Sequence, residues 1–366
     1  MNIDKSQIKT ALETVADPIT GNSLSASGRI KNLDIEQGVV RCTLHFTESL
    51  SGDIKSSLNF ACQEAIHKID PSLQVHMHLE TQVRQGEPPR SVLPQVKNII
   101  AVASGKGGVG KSTISTNVAL GLLRKGMRVG LIDADLYGPS IPTMLGLKGM
   151  RPQIQDIHGK PRIIPLEAHG LKVMSIGFIV EPEQAVVLRG PRLAGIIKQF
   201  IQECLWPSLD YLIIDLPPGT GDIQLTLVQT VPVTGAVIVT TPQQVAVDDA
   251  LKAMNMFRMP SIQVPILGVV ENMSWFTPVE LPENKYKLFG EGGGAALATL
   301  GDVDLLGQIP LEMDVMHGGE QGKPVLLEIS DSKASQALVE MVDRLEIQVM
   351  ERNQTLDPTQ IVRIKT

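Results

Sequence analysis

Residues 99–113 constrain the fold of this chain more than any other stretch. Five apolar residues, Ile99-Ile-Ala-Val-Ala103, run into Ser104-Gly105-Lys106-Gly107-Gly108-Val109-Gly110-Lys111-Ser112-Thr113, and a helical pattern over 112–125 follows. The spacing is G-x-x-x-x-G-K-[ST] between a strand and a helix, the arrangement that cradles nucleotide phosphates. Glycines let backbone N–H groups converge on phosphate oxygens without a Cβ in the way, and the helix adds the positive end of its dipole. In such a loop Lys111 bridges the β- and γ-phosphates and the Ser112 hydroxyl ligates Mg²⁺. The same residues also satisfy G-x-G-x-x-G at Gly105, Gly107 and Gly110, with Asp133 further on at a strand end, which is the fingerprint of a dinucleotide fold. Two features favour a nucleoside triphosphate. Lys111-Ser112 has no dinucleotide role, and a second acid closes another apolar run, Tyr211-Leu-Ile-Ile-Asp215, where it can hold Mg²⁺ through water.

Apolar runs recur after residue 96: Val129-Gly-Leu-Ile132, Leu212-Ile-Ile214, Ala236-Val-Ile-Val239 and Ile266-Leu-Gly-Val-Val270. Strands apolar on both faces belong to parallel sheets covered by helices. Helical stretches at 112–125, 191–204 and 245–258 alternate with them, so the pattern predicts an α/β fold with a doubly wound, mostly parallel sheet over residues 96–350, closed by an amphipathic helix at 332–350. The prolines and glycine of 84–95 read as a linker, and 351–366 as a tail. Upstream, residues 1–83 read as a small α/β domain: helix at 5–15, alternation at Val40/Cys42/Leu44/Phe46, helix at 53–69, alternation again at Val75/Met77/Leu79.

A chain of 366 residues with 43% apolar and 20% charged residues is globular rather than disordered. Its net charge of −6 supplies no basic field for nucleic acid or anionic lipid. The N-terminal residues lack a signal-peptide core, and no run approaches the ~18–20 apolar residues of a membrane span. Three dispersed cysteines, Cys42, Cys62 and Cys204, form no C-x-x-C and fit a reducing compartment, so the expected location is the cytoplasm.

Lys106 is an extra lysine inside the glycine loop, and with it the string SGKGGVGKST resembles the deviant phosphate loop of the MinD/ParA class of dimeric ATPases. Within that class the chain is similar to the Mrp-type (ApbC) ATPases known as iron–sulfur cluster carriers. The match rests on Leu131-Ile-Asp-Ala-Asp-Leu-Tyr-Gly-Pro-Ser-Ile141, Arg189-Gly-Pro191, Leu209–Asp222, Glu271-Asn-Met-Ser274 and Phe289-Gly-Glu-Gly-Gly-Gly294. The N-terminal unit, with Asp17-Pro18, resembles a MIP18-like domain.

The resemblance implies a slow Mg²⁺-dependent ATPase acting as a homodimer, with client apoproteins or iron–sulfur assembly proteins as partners. It implies that Lys106 reaches the partner's nucleotide and that Gly105 to Thr113 cradle the phosphates. Asp135 would orient the attacking water, and Ser112, Asp133 and Asp215 would serve Mg²⁺. Leu216–Asp222 would be the second switch, Asn272 would read the adenine edge, and Gly307-Gln-Ile-Pro310 would wall the base.

One departure bears on the cargo. The family usually carries F-x-C-x-x-C after the Glu271–Ser274 stretch, a site where two protomers pool four thiolates around a cluster. Here Pro278 and Leu281 stand at the two cysteine positions, and neither can ligate iron. The cysteine expected in the N-terminal domain's strand–helix loop is also missing, since Ser49-Leu-Ser-Gly-Asp53 occupies it. The ligands of any cluster are therefore unassigned. Cys42, Cys62 and Cys204 read as small core residues, and His76 and His78, side by side on one strand face, read as a solvated face before a metal pair.

Overall fold

A computed structural model describes residues 4–18, 22–36, 38–46, 52–81, 93–135, 138–157, 160–179, 190–328, 331–357 and 361. The chain divides into two compact units, Met1–Glu87 and Pro88–Thr366.

The first unit runs α1 (Lys5–Leu12), β1 (Ile30–Glu36), β2 (Val39–Phe46), α2 (Gly52–His67) and β3 (Gln74–Thr81). Asp4 starts α1 with a reciprocal cap, its carboxylate accepting from the Gln7 N–H at 3.0 Å while Gln7 Oε1 accepts from the Asp4 N–H. Helix α1 ends at Leu12, short of the expected residue 15. The sheet order is β1-β2-β3, antiparallel then parallel, and the alternation of β2 buries Val40, Cys42, Leu44 and Phe46 against Ile8, Leu12, Cys62 and Ile66. His76 and His78 are exposed on β3.

Asp17 is buried as one half of an ion pair: Arg29 Nε lies 2.7 Å from its Oδ2, and the guanidinium sits 4.8 Å over the Phe46 ring. Removing one partner of a buried pair strands the other charge. Asp17→Ala is therefore expected to cost about 3–5 kcal/mol. Faster amide exchange across β1 and β2 in the full chain would show it; unchanged exchange would mean that the pair contributes nothing.

The second unit runs β4 (Val96–Ser104), α3 (Lys111–Arg124), β5 (Val129–Asp133), α4 (Ile141–Met144), β6 (Ile154–Ile157), β7 (Lys160–Ile163), β8 (Leu166–Ala168) and β9 (Leu171–Ser175). It continues with α5 (Gly190–Gln202), β10 (Leu209–Asp215), α6 (Asp222–Thr230), β11 (Gly235–Thr240), α7 (Gln244–Arg258), β12 (Ile266–Phe276), α8 (Gly293–Leu300), β13 (Leu305–Leu311), α9 (Met313–Glu320) and α10 (Lys333–Thr355). Eight strands form one sheet, β13-β12-β11-β4-β10-β5-β9-β8, parallel except for the edge strand β8. Alternate residues of β4 enter different cores. Ile99, Ala101 and Ala103 meet the apolar faces of α5, α6, α7 and α8, whereas Ile100 and Val102 meet α3 and α10. The second unit is thus a doubly wound, mostly parallel α/β sheet, and the first is a small α/β unit. Helix α3 leaves the centre of the sheet, beside the point where strand order reverses, and ligands bind at such points.

Two expected boundaries move. Residues 93–95 belong to the second unit rather than to a linker, because Leu93 is buried among Trp206 and its neighbours and the Gln95 carbonyl accepts from the Leu209 N–H at 3.0 Å. The tail expected from 351 begins later: α10 runs to Thr355, and buried Arg352 donates to the Asp357 carbonyl at 2.8 Å. Leu136, Tyr137, Arg189 and Ser49 to Ser51 lie outside the described residues.

Candidate active site

Strand register assembles the site before any side chain is considered. Asp215 pairs with Asp133 across β10 and β5, Asp133 pairs with Ser175 across β5 and β9, and Asp215 pairs on its other side with Val102, two residues before the glycine loop. Three polar strand ends are thereby set in a row beside the loop.

The loop is held by close backbone packing. A Cβ on Gly105 would lie 2.0 Å from the carbonyl carbon of Asp249 in α7, and one on Gly110 would lie 2.1 Å from Asn272 Nδ2. Gly110 also has φ +79°, and as the N-cap of α3 it offers no side-chain acceptor to the first-turn N–H groups. Those donors need an anion or water. Gly107 and Gly108 are exposed at the loop's crest, and Val109 points the other way into the core. Ser104 Oγ braces the base of the loop by donating to the Lys106 carbonyl at 3.0 Å. The Lys106 side chain is exposed and makes no ion pair among the described residues.

Lys111, only 6% exposed, puts its Nζ 2.8 Å from Asp215 Oδ2 and 3.6 Å from Asp135 Oδ2. Asp215 is fully buried and accepts from Ser112 Oγ at 2.6 Å and from Ser115 Oγ at 2.6 Å. Mg²⁺ keeps most of its waters and takes few protein oxygens. The Ser112 hydroxyl and the Asp215 carboxylate beside it fit that need, and the ion bound there would neutralise charge on the β- and γ-phosphates. Among the described residues no three His, Cys, Asp or Glu side chains converge as a metal site. Thr113 lies in the first turn of α3, half-buried, and its carbonyl accepts from Asn117 Nδ2 at 2.8 Å.

Asp133, expected to serve Mg²⁺, caps the turn that follows β5. Its Oδ1 accepts from the Asp135 N–H at 3.1 Å, and its Oδ2 accepts from Ser175 Oγ at 3.0 Å and the Ile141 N–H at 3.3 Å. Burial first, and then the neighbouring Asp215 charge, push it well above the ordinary carboxylate range. These bonds fix the turn that carries Asp135.

Asn272, expected to read the adenine edge, lies against the glycine loop. Its Nδ2 donates to the Val109 carbonyl at 2.9 Å and braces that loop. An irregularity in β12, with Met273 at φ +54°, breaks the register toward β13 as Asn272 turns inward. Pro310 is buried in β13 next to Ile309, the register partner of Asn272.

Sequence reasoning passed over Ser115 and Ser175. Ser115 carried a signal, since it stands three residues after Ser112 on one helix face. Ser175 carried none, because only sheet register brings it to Asp133.

A model of the NUBPL iron-transfer P-loop NTPase family matches residues 95–346. The chain belongs to that family. Residues 5–76 match an iron–sulfur cluster assembly protein model. An iron–sulfur cluster carrier protein from Synechocystis sp. is 43% identical over 340 residues, 92% of this chain and 96% of its own length. One from Deinococcus radiodurans is 41% identical over 96% of this chain and 97% of its own. Among solved structures, an Archaeoglobus fulgidus nucleotide-binding protein in complex with ADP matches with TM-score 0.55 at 36% identity, over 66% of this chain and 95% of its own. The Pyrococcus horikoshii MinD structure, at TM-score 0.50 and 21% identity over 70% of this chain and 99% of its own, shares the fold.

Within this NUBPL-type NTPase the segment at the family's cysteine positions is built without sulfur. After β12 the Phe276 and Tyr286 backbones pair at 2.9 and 2.8 Å, the Leu281 N–H donates to the Pro278 carbonyl, and the Lys285 ammonium sits 4.3 Å over the Trp275 ring. Lys333 Nζ donates to the Pro282 carbonyl at 2.9 Å. All three cysteines are buried, and burial pushes the Cys42 thiol up to about 11 and those of Cys62 and Cys204 up to about 12. Cys42 and Cys62 pack in the core of the first unit and Cys204 in that of the second. These residues do not fit a cluster: no exposed thiol stands among the described residues, and the buried ones resist becoming the thiolates that iron requires.

Proposed function

We propose that this chain is a slow Mg²⁺-dependent ATPase that works as a nucleotide-switched homodimer in iron–sulfur cluster delivery, in contact with client apoproteins or cluster assembly proteins. The supporting observation is the convergence of Lys111, Ser112, Asp135 and Asp215 on the uncapped start of α3. In this reading the backbone amides and Lys111 receive the phosphates, Ser112 and Asp215 serve the ion, and Asp135 orients the attacking water. Catalysis by such a site is electrostatic and positional. Asp135→Asn is then expected to lower kcat about 10²-fold or more while nucleotide affinity holds. Loss of affinity with no separate effect on turnover would reverse the roles of Asp135 and Asp215.

Lys106, exposed and without an ion pair among the described residues, supports a role in trans. Lys106→Ala is expected to reduce hydrolysis about 10²–10³-fold and to weaken the ATP-dependent dimer, with monomer binding of nucleotide unchanged. Identical elution on a sizing column and identical turnover for variant and wild type would end the trans assignment. Free thiols fit the reducing cytoplasm. No described helix is long and apolar enough to cross a membrane.

A second reading follows from Pro278, Leu281 and the buried thiols: an ATP-switched protein-binding regulator of the MinD/ParA class that carries no cluster. Iron and sulfide analysis after anaerobic purification separates the two, and phosphate release compared between wild type and Lys111→Ala tests what they share.

A further inference from the structure

The turn after Asp215 cannot hold itself. Pro217 and Pro218 contribute carbonyls but no N–H groups. The Gly219 N–H is committed to the Ser104 carbonyl at 2.8 Å, and the Leu216 N–H to the Val102 carbonyl at 3.0 Å. This segment nonetheless lies against the phosphate loop, with Pro218 Cγ 3.9 Å from where a Cβ on Gly107 would stand. The missing donors come from one side chain. Gln224, in the first turn of α6 and 1% exposed, donates through Nε2 to the Pro217 carbonyl at 2.9 Å and to the Gly219 carbonyl at 3.0 Å. Both amide protons are thus spent on the turn that joins Asp215 to α6.

The other end of the amide is as informative. Gln224 Oε1 is buried with no hydrogen-bond partner among the described residues, and it lies 3.7 Å from the position of a Cβ on Gly221. Buried acceptors left without a donor are rare and call for a reason. A turn that adopts a second arrangement supplies one, because an N–H from the Gly219 to Gly221 backbone can then satisfy Oε1. Helix α6 packs on α5.

We infer that Gln224 is a positioning residue for ATP hydrolysis: it sets the Pro217–Gly219 turn against the phosphate loop and passes the state of the γ-phosphate to α6. This rests on the ATPase reading of the site. Gln224→Met keeps the length of the side chain and removes both donors, and Gln224→Glu keeps its shape while turning an acceptor toward two carbonyls.

Both variants are expected to lose about tenfold or more in kcat with KM and the affinity for a non-hydrolysable Mg-ATP analogue unchanged, the split left by an interaction that matters in the transition state. Retained analogue binding also reports that the variants are folded. Hydrogen exchange over residues 216–230 gives a readout without turnover: the analogue slows exchange there in wild type and no longer does so in Gln224→Met. Wild-type kcat in both variants, parallel loss of kcat and affinity, or unaltered exchange protection would each overturn the positioning role. Failure of the ATPase reading looks different, since wild type would then bind no nucleotide or Lys111→Ala would hydrolyse as well as wild type; the role of Gln224 falls with it.

Discussion

Lys111→Ala is expected to abolish measurable ATP hydrolysis, a loss of about 10²–10³-fold or more, and to lower the melting temperature of the chain at the same time. The first effect follows from removing the side-chain cation proposed to meet the phosphates. The second comes from the surroundings of Lys111, whose ammonium lies between Asp215, which is fully buried, and Asp135. Deleting the cation leaves two carboxylates facing each other out of water, which costs about 3–5 kcal/mol when one partner of a buried pair is lost.

The two effects separate in a double variant. Adding Asp215→Asn to Lys111→Ala removes the stranded charge and restores part of the stability without restoring turnover. Asp215→Asn alone is expected to raise the Mg²⁺ concentration needed for hydrolysis, because it weakens the acid proposed to hold the ion's water shell. Phosphate release and thermal denaturation, measured on the same preparations, check both claims. Unchanged hydrolysis by Lys111→Ala would refute the assignment of the site.

Anaerobic reconstitution with iron and sulfide is expected to leave no stable, stoichiometric cluster on the chain's own thiols. A cluster shared by two protomers normally takes four thiolates, and a C-x-x-C on one short loop supplies two of them from each chain at little ordering cost. In this chain the loop holds Pro278 and Leu281 and is fastened by backbone pairing and by Lys285 over Trp275. Recruiting Cys42, Cys62 or Cys204 would require opening a packed core and ionising a thiol whose pKa burial has raised to about 11 or 12. Glu280 and Glu283 flank the loop, but carboxylates are harder and poorer partners for iron–sulfur cores than thiolates. Iron and sulfide counts with visible absorbance, on wild type and on each Cys→Ser variant, make the comparison. A full-occupancy cluster that survives all three substitutions would contradict the argument and indicate ligands from outside the chain. The same burial predicts slow alkylation of the native protein by iodoacetamide and rapid labelling once it is unfolded. Absence of a cluster under every reconstitution condition would favour the ATP-switched binding subunit over a carrier that holds its own cargo.

What the linear sequence determined was local in its chemistry. The glycine loop, Lys111 and Ser112 lie within a few residues of one another, and their function depends on backbone groups adjacent in the chain. The doubly wound sheet was legible because strands buried on both faces must be apolar at every position, as Ile99 to Ala103 are. Asp215 could be read as the acid ending such a run.

Tertiary structure decided what each of the two strand-end acids meets. Asp133 and Asp215 look alike in sequence, yet register gives Asp133 to the Ser175 hydroxyl and two backbone amides, while it gives Asp215 to Lys111, Ser112 and Ser115. Tertiary structure also turned Asn272 under the glycine loop through the irregularity at Met273, buried Leu93 and Arg352 beyond the expected domain edges, and set the Gln224 amide against the Pro217–Gly219 turn. The periodicity of side chains records which face of an element is buried. Strand order and register settle what that face meets, and they arise from contacts between residues tens to more than a hundred positions apart.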